Sequence, residues 1–224
     1  MLADSSKTWM DEKLLFLINR NWSAPWLDRV MALASSFDVW LPIIVIVVLA
    51  LLIRGSFKMR ACILTAALIV GINDGVVART LKRVVDRPRP HETHNDVRMV
   101  DFQKAKPRVL AVFRPMKVEM SRASLEDVEG RSFPSSHTIN TCSVAVVGMM
   151  FFGLRAWWLT AIAALVGVSR IYVGAHWPSD ILVSVFIGCG STLLLLAVVK
   201  VIWNRFGGRV LPKMHHEHPQ LFTA

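Results

Sequence analysis

The sequence predicts an all-α protein, a polytopic membrane helix bundle of about five spans preceded by an interfacial amphipathic helical segment. Three observations carry this. Of the 224 residues, 54% are hydrophobic and only 19% are charged, against about 45–50% and about 25% in soluble domains. The apolar residues gather in runs close to the ~20 residues that a spanning helix needs. The surplus charge, +10 overall, sits between those runs and does not stripe a polar helix, so nucleic acid is not an expected partner.

Residues 1–36 form the first unit. Within it, Leu14, Leu15, Ile18, Trp22, Trp26, Val30 and Leu33 alternate with polar residues, the pattern of an amphipathic helix pair on a membrane interface. Ser23–Pro25 breaks the pair. Met1–Asp11 is polar and no small-residue cleavage site follows an early apolar run, so no signal peptide is expected and the chain is held in the membrane by its own spans. The bundle, residues 37–203, contains runs at Phe37–Ile53, Ala61–Thr80, Thr138–Leu154, Ala156–Tyr172 and Ile181–Val199. The second run is interrupted by Asn73 and Asp74. Cys62, Cys142 and Cys189 each lie inside an apolar stretch and read as small buried hydrophobes.

Between the second and third runs lies a long extramembrane loop, residues 82–133, which holds Pro88, Pro90, Pro107 and Pro115 and cannot be a single helix. Residues 204–224 read as a polar, solvated tail; its His215, His216 and His218 are not expected to hold a metal. Arg54, Lys58 and Arg60, Arg155, and Lys200, Arg205, Arg209 and Lys213 follow alternate runs, which places them on the cytoplasmic side of an inner membrane. The loop is then extracytoplasmic, and its own basic excess is attributed to a phosphate-binding task.

Three clusters stand at the ends of spans: Lys82 with Arg89-Pro90, Pro134-Ser135-Ser136-His137, and Ser169-Arg170 with His176 and Asp180. Each alone has an ordinary explanation: lipid-headgroup anchoring, helix N-capping, or a structural His–Asp pair. If every span crosses once, however, all three meet at one surface. Lys82, Arg89 and Arg170 then supply cations, and the start of the third span supplies backbone N–H groups at Ser135–His137 for an anion. One imidazole can attack phosphorus, and the other can protonate the leaving oxygen and later activate water. Asp180 can hold its partner imidazole in one tautomer. No metal and no cofactor is required by this kit.

The order K-x6-R-P, P-S-x-H, S-R-x5-H-x3-D resembles the type 2 phosphatidic acid phosphatase family, membrane lipid phosphatases related to vanadium haloperoxidases. The motifs span about Asp74–Asp180. The resemblance implies that His176 is the nucleophile, His137 the acid/base and Asp180 the group orienting His176. It implies that Lys82, Arg89, Ser135 and Arg170 hold the phosphate. The family usually has Gly where this chain has Ser136, which still offers its N–H and adds a hydroxyl. Bacterial members often have six spans; the expectation here is that the chain starts at the interfacial helix, without a counterpart of the first.

The expected activity is phosphohistidine-dependent, metal-independent hydrolysis of a membrane lipid phosphate. Undecaprenyl diphosphate leads, with Arg83 and Arg87 as surplus cations for a second phosphate. Phosphatidylglycerol phosphate, phosphatidic acid and lipid A phosphates are alternatives. A non-catalytic lipid-phosphate binder or transporter is the rival of another class, but it has no need of two histidines with Asp180. Asp74 lies two turns from Lys82, roughly 12 Å at 1.5 Å per residue; its expected role is a bond to another helix.

Overall fold

The computed structural model describes residues 5–123 and 131–222; residues 124–130 of the long loop lie outside it. Two N-terminal helices, α1 (Ser5–Phe16) and α2 (Pro25–Ser35), are joined by a π-helical turn at Leu17–Asn21. The break falls where Pro25 opens the second helix at its first position, the place where proline is tolerated. Then come α3 (Phe37–Arg54) and α4 (Phe57–Ile72), a π-helical turn at Asn73–Ala78, and α5 (Arg79–Val85).

Among the described residues, four helical stretches are long and apolar enough to cross a membrane: Phe37–Arg54, Phe57–Thr93, Ser136–Tyr172 and Pro178–Val210. The third is a hairpin of two helices, α7 (Ser136–Phe152) and α8 (Trp157–Tyr172), turned by Gly153 at φ 62°. His137 at the start of α7 and Arg170 at the end of α8 line one cleft, so the two run antiparallel. With α9 (Pro178–Val210) the bundle therefore has five alternating runs. Phe37 and Asp38, which open α3, line the same cleft. At the other end Lys58 lies over the Phe152 ring and Phe57 meets Trp203, gathering the basic connections there.

Only 6% of the α3 stretch is buried inside the protein. Its Leu41, Ile43, Ile44, Ile46 and Val47 are exposed, an apolar surface that only lipid or a partner would cover. Inside the bundle, α7 is central. Gly188 of α9 approaches it so closely that an added Cβ would sit 3.0 Å from the Ile139 carbonyl oxygen. Asn73, fully buried, donates to Ser143 Oγ (2.9 Å) and Thr192 Oγ1 (3.3 Å), and Thr192 donates to Ser143 (2.9 Å). Asn73 is thus the polar residue that ties α4 to α7 and α9. Asp74, expected in that role, has an exposed side chain and is close enough to act electrostatically on Lys82 and His137.

The long loop is not wholly irregular. After the short helix α6 (Pro90–Thr93), strands β1 (Arg98–Phe102) and β2 (Met116–Met120) pair antiparallel with Val100 opposite Val118. Val100, Phe102 and Ala111 bury themselves against Met31, Ala32 and Val39 and against Tyr172, Val173 and Ala175. Buried Asn19 binds the hairpin and the end of α8 together, donating to the carbonyls of Arg98 (2.8 Å) and Tyr172 (2.7 Å). Arg98 pairs with buried Asp28 of α2 (2.8 Å), which also accepts from the Tyr172 hydroxyl (2.6 Å). The N-terminal pair thus caps the motif-bearing end of the bundle.

The C-terminal residues also pack. Helix α9 continues to Val210, α10 (Pro212–Glu217) turns back, and the His218 ring stacks on Phe57 (4.9 Å). Phe222 is buried against Phe151, so the segment beyond Asn204 is docked and not simply solvated. All three cysteines are free thiols, with Cys62 and Cys142 buried.

Replacing Asn73 by Ala removes two interhelical donors from a dry interface, where such bonds contribute about 1 kcal/mol each. The variant should therefore show a lower thermal midpoint in detergent.

Candidate active site

The His176 turn is set by local backbone chemistry. Helix α8 ends at Tyr172, and Gly174 takes φ +76°, a region that side chains with a Cβ rarely adopt. Any Cβ there would also lie 2.7 Å from the Arg98 carbonyl oxygen. The chain then folds back so that the N–H groups of Ala175 (3.0 Å) and His176 (3.2 Å) both donate to the Arg170 carbonyl. The S-R-x5-H spacing therefore ties His176 to the arginine of its own motif.

Pro178 opens α9, and Asp180 sits in its first turn, fully buried. Its Oδ1 accepts from Arg87 Nη1 at 2.6 Å, and its Oδ2 accepts from the Ser132 hydroxyl and the Trp177 N–H (3.1 Å). Oδ2 also faces His176 Nδ1 at 3.9 Å. That is longer than a hydrogen bond, and Nδ1 is buried without another partner. Such dyads are often loose in the free enzyme and close when the site is occupied.

Burial, reinforced by the charges of Arg170 and Arg89 and to a lesser degree Lys82, holds the His176 imidazole well below its usual pKa. The ring is neutral, which is the form that has a lone pair to attack with. Those same arginines and lysine are the three cations expected from the sequence, so one imidazole feels all of them.

Arg170 Nη1 donates to the hydroxyl and carbonyl of Ser35 in α2, while its buried Nε has no partner. A buried, unspent guanidinium N–H beside a cleft is a donor waiting for an anion. The backbone N–H of Arg89 donates to Glu92 Oε2 (2.7 Å), fixing the residue at the start of α6. Lys82 lies half-buried near the end of α5.

The start of α7 departs from expectation at one residue. Ser135 is fully buried and caps the helix, its Oγ accepting from the Thr138 hydroxyl (3.1 Å), and its own N–H donates to Ser184 Oγ (2.9 Å). Among the described residues, the N–H groups of Ser136 and His137 in this first turn meet no acceptor, and their side chains are half-buried. His137 lines a cleft of about 590 Å³ together with Ser35, Asp38, His91, Asp101 and Arg170.

Arg87 also departs from expectation. It is no spare cation for a second phosphate, because Asp180 and Asp11 (2.8 Å) occupy its guanidinium. Arg83 remains exposed. Sequence reasoning missed Asp11, Ser132 and Ser35, all polar residues brought to the site from distant segments.

A family model described as the PAP2 superfamily matches residues 58–204, nearly two thirds of the chain and all three motifs. The chain belongs to the PAP2 superfamily. It is 36% identical over 90 residues to a bacitracin transport permease protein BcrC of Bacillus licheniformis, covering 40% of this chain and 38% of that one. It is 27% identical over 100 residues to the undecaprenyl-diphosphatase BcrC of Bacillus subtilis, covering 44% of this chain and 47% of that one. The chain thus spans under half the length of these two relatives. A lipid A 4'-phosphatase of Bacteroides thetaiotaomicron is 25% identical over 184 residues, 80% of this chain and 72% of that one. Among solved structures, Aquifex aeolicus LpxE superposes with TM-score 0.56 at 26% identity, covering 84% of this chain and 95% of that one. With its apolar helices, this PAP2 chain is a multi-pass membrane protein.

The neutral His176 has a consequence for stability. Below its ordinary value near 6.5 the unfolded chain binds a proton there that the folded protein refuses. The stability contribution is therefore complete above that pH and falls as pH drops, by up to about 1.4 kcal/mol per unit. Thermal midpoints measured between about pH 7.5 and about pH 5 should fall more steeply for the wild type than for His176→Gln.

Proposed function

We propose that the protein is a metal-independent membrane lipid phosphatase working through a phosphohistidine, with undecaprenyl diphosphate as its leading substrate. The observation that carries this reading is that His176 faces Asp180 and lies within electrostatic reach of Arg170, Arg89 and Lys82, while His137 and Arg170 line one cleft, at one end of an apolar bundle. A lipid whose tail stays in the bilayer presents its phosphate at that level.

In this mechanism the substrate phosphate lies against Lys82, Arg89, the Arg170 Nε–H and the N–H groups of Ser136 and His137. These donors stabilise charge on the transferring group. Ser135 supports the site as the cap of α7. The Nδ1 side of His176 faces Asp180, so Nε2 attacks phosphorus. A P–N bond forms as the P–O bond to the lipid breaks, and His137 gives its proton to the leaving oxygen. His137 then takes a proton from water, whose oxygen attacks phosphorus, and the P–N bond breaks to release inorganic phosphate. Asp180 stabilises the positive charge on His176 while it carries the phosphoryl group.

Undecaprenyl diphosphate leads because an undecaprenyl-diphosphatase is among the relatives. Lipid A phosphate is the second reading, favoured by the wider alignment with the Bacteroides lipid A 4'-phosphatase. We further propose an inner-membrane location with the cleft on the extracytoplasmic face and the N-terminal helix pair on the membrane interface. The clustering of Arg54, Lys58, Arg60 and Arg155 at the far end supports that orientation.

Phosphate release by the detergent-purified protein in excess EDTA tests the reading on undecaprenyl diphosphate, phosphatidylglycerol phosphate, phosphatidic acid and lipid A. Release should resist EDTA, and His176→Ala should abolish it. His137→Ala should lower it by about 10²–10⁴-fold, the usual share of a general acid/base. A strict requirement for a divalent ion, or full activity of His176→Ala, would contradict the mechanism. Binding of these lipids without release would favour the transporter class.

A further inference from the structure

The N-terminal helix reaches the reaction centre through a chain of charges. Asp11 of α1 is buried, and its Oδ2 accepts from Arg87 Nη2 (2.8 Å) and from the Ser179 hydroxyl (2.5 Å). Its Oδ1 accepts the Ser179 N–H (2.8 Å), one of the free first-turn donors of α9. The other arm of Arg87, Nη1, donates to Asp180 Oδ1 (2.6 Å) and Ser179 Oγ (2.8 Å). The guanidinium carbon Cζ lies over the Trp177 ring, 5.1 Å from its centroid. Arg87 is therefore held on three sides, and the Asp180 oxygen it leaves uncovered, Oδ2, is the one facing His176.

The charge count gives this arrangement a purpose. A guanidinium pressed on Asp180 alone would cancel the carboxylate's charge and compete with the imidazole for it. With Asp11 on its other side, Arg87 is shared between two carboxylates, and the trio retains one net negative charge. That charge is what His176 needs when it becomes cationic on accepting a phosphoryl group.

We propose that Asp11 is a positioning residue for phosphoryl transfer: through Arg87 it holds Asp180 in place and preserves its charge for His176. This inference rests on the phosphohistidine reading above. It extends the machinery to a helix outside the three sequence motifs.

The test is a kinetic cycle on the full-length protein, using whichever lipid of the panel turns over fastest. Asp11→Asn keeps the shape and the Ser179 contact but removes the charge. Its kcat should fall about 10–100-fold, as for other outer-shell partners of a working histidine, with KM within about twofold. Asp11→Glu should recover part of the loss. In an Arg87→Lys background, where one ammonium cannot bridge both carboxylates, Asp11→Asn should add little further loss. Arg87→Lys alone should reproduce the kcat defect, which serves if Asp11→Asn does not fold. An Asp11→Asn kcat within twofold of wild type, or losses that simply multiply in the double variant, would overturn the inference. His176→Ala is measured alongside. If it is inert while Asp11→Asn behaves as wild type, only the positioning role fails; if it is active, the phosphatase mechanism itself fails.

Discussion

A carboxylate with no solvent exposure has to be satisfied by the protein, and Asp180 is such a group. An unpaired charge in that position would cost several kcal/mol. Its donors come from three places: Arg87 after α5, Ser132 before α7 and the Trp177 N–H at the head of α9, and Arg87 donates in turn to Asp11 of α1. Satisfying this one side chain therefore draws together the ends of the bundle. Ser132 also donates its N–H to the Arg87 carbonyl (2.7 Å), so the segments that serve Asp180 are tied to each other as well.

The rest of the molecule follows from keeping charge at helix ends and apolar surface along their length. The α7–α8 hairpin brings His137 back beside Arg170, and the tight turn at Gly174 puts His176 within reach of the same guanidinium. Above this end, the β-hairpin is fastened by Arg108, which bridges Asp38 of α3 (2.6 Å) and Asp101 of β1 (3.1 Å). These exposed ion pairs contribute little stability on their own, but they line the cleft and fix its rim. Further down, the Asn73–Ser143–Thr192 cluster is a polar registration point between α4, α7 and α9.

Much of this was legible in the sequence, for identifiable reasons. Spans are visible because lipid demands long uncharged runs. The motif residues are visible because the attack, proton transfer and phosphate binding proposed for them each require a particular side chain at a span end. Partner choice across the chain was not visible. Arg87 looked like a spare cation because its two carboxylates lie 76 and 93 residues away in sequence. Asn73 and Asp74 were indistinguishable as neighbours in one apolar run; the helix phase that turns Asn73 inward and Asp74 outward comes from packing and the π-helical turn. Ser135 shares a motif with Ser136, yet Ser184 from α9 takes its N–H. The β-hairpin, two five-residue strands among prolines and basic residues, carries too short an alternation to be separated from loop.

In the proposed mechanism His176 becomes covalently phosphorylated. Its most direct test is to quench turnover of a lipid labelled in its terminal phosphate and locate the protein-bound label by peptide mapping. An acid-labile, alkali-stable phosphoryl group should be found on the peptide containing His176 and be absent in His176→Ala. Rapid turnover with no protein-bound phosphate, or with the label on another residue, would contradict it.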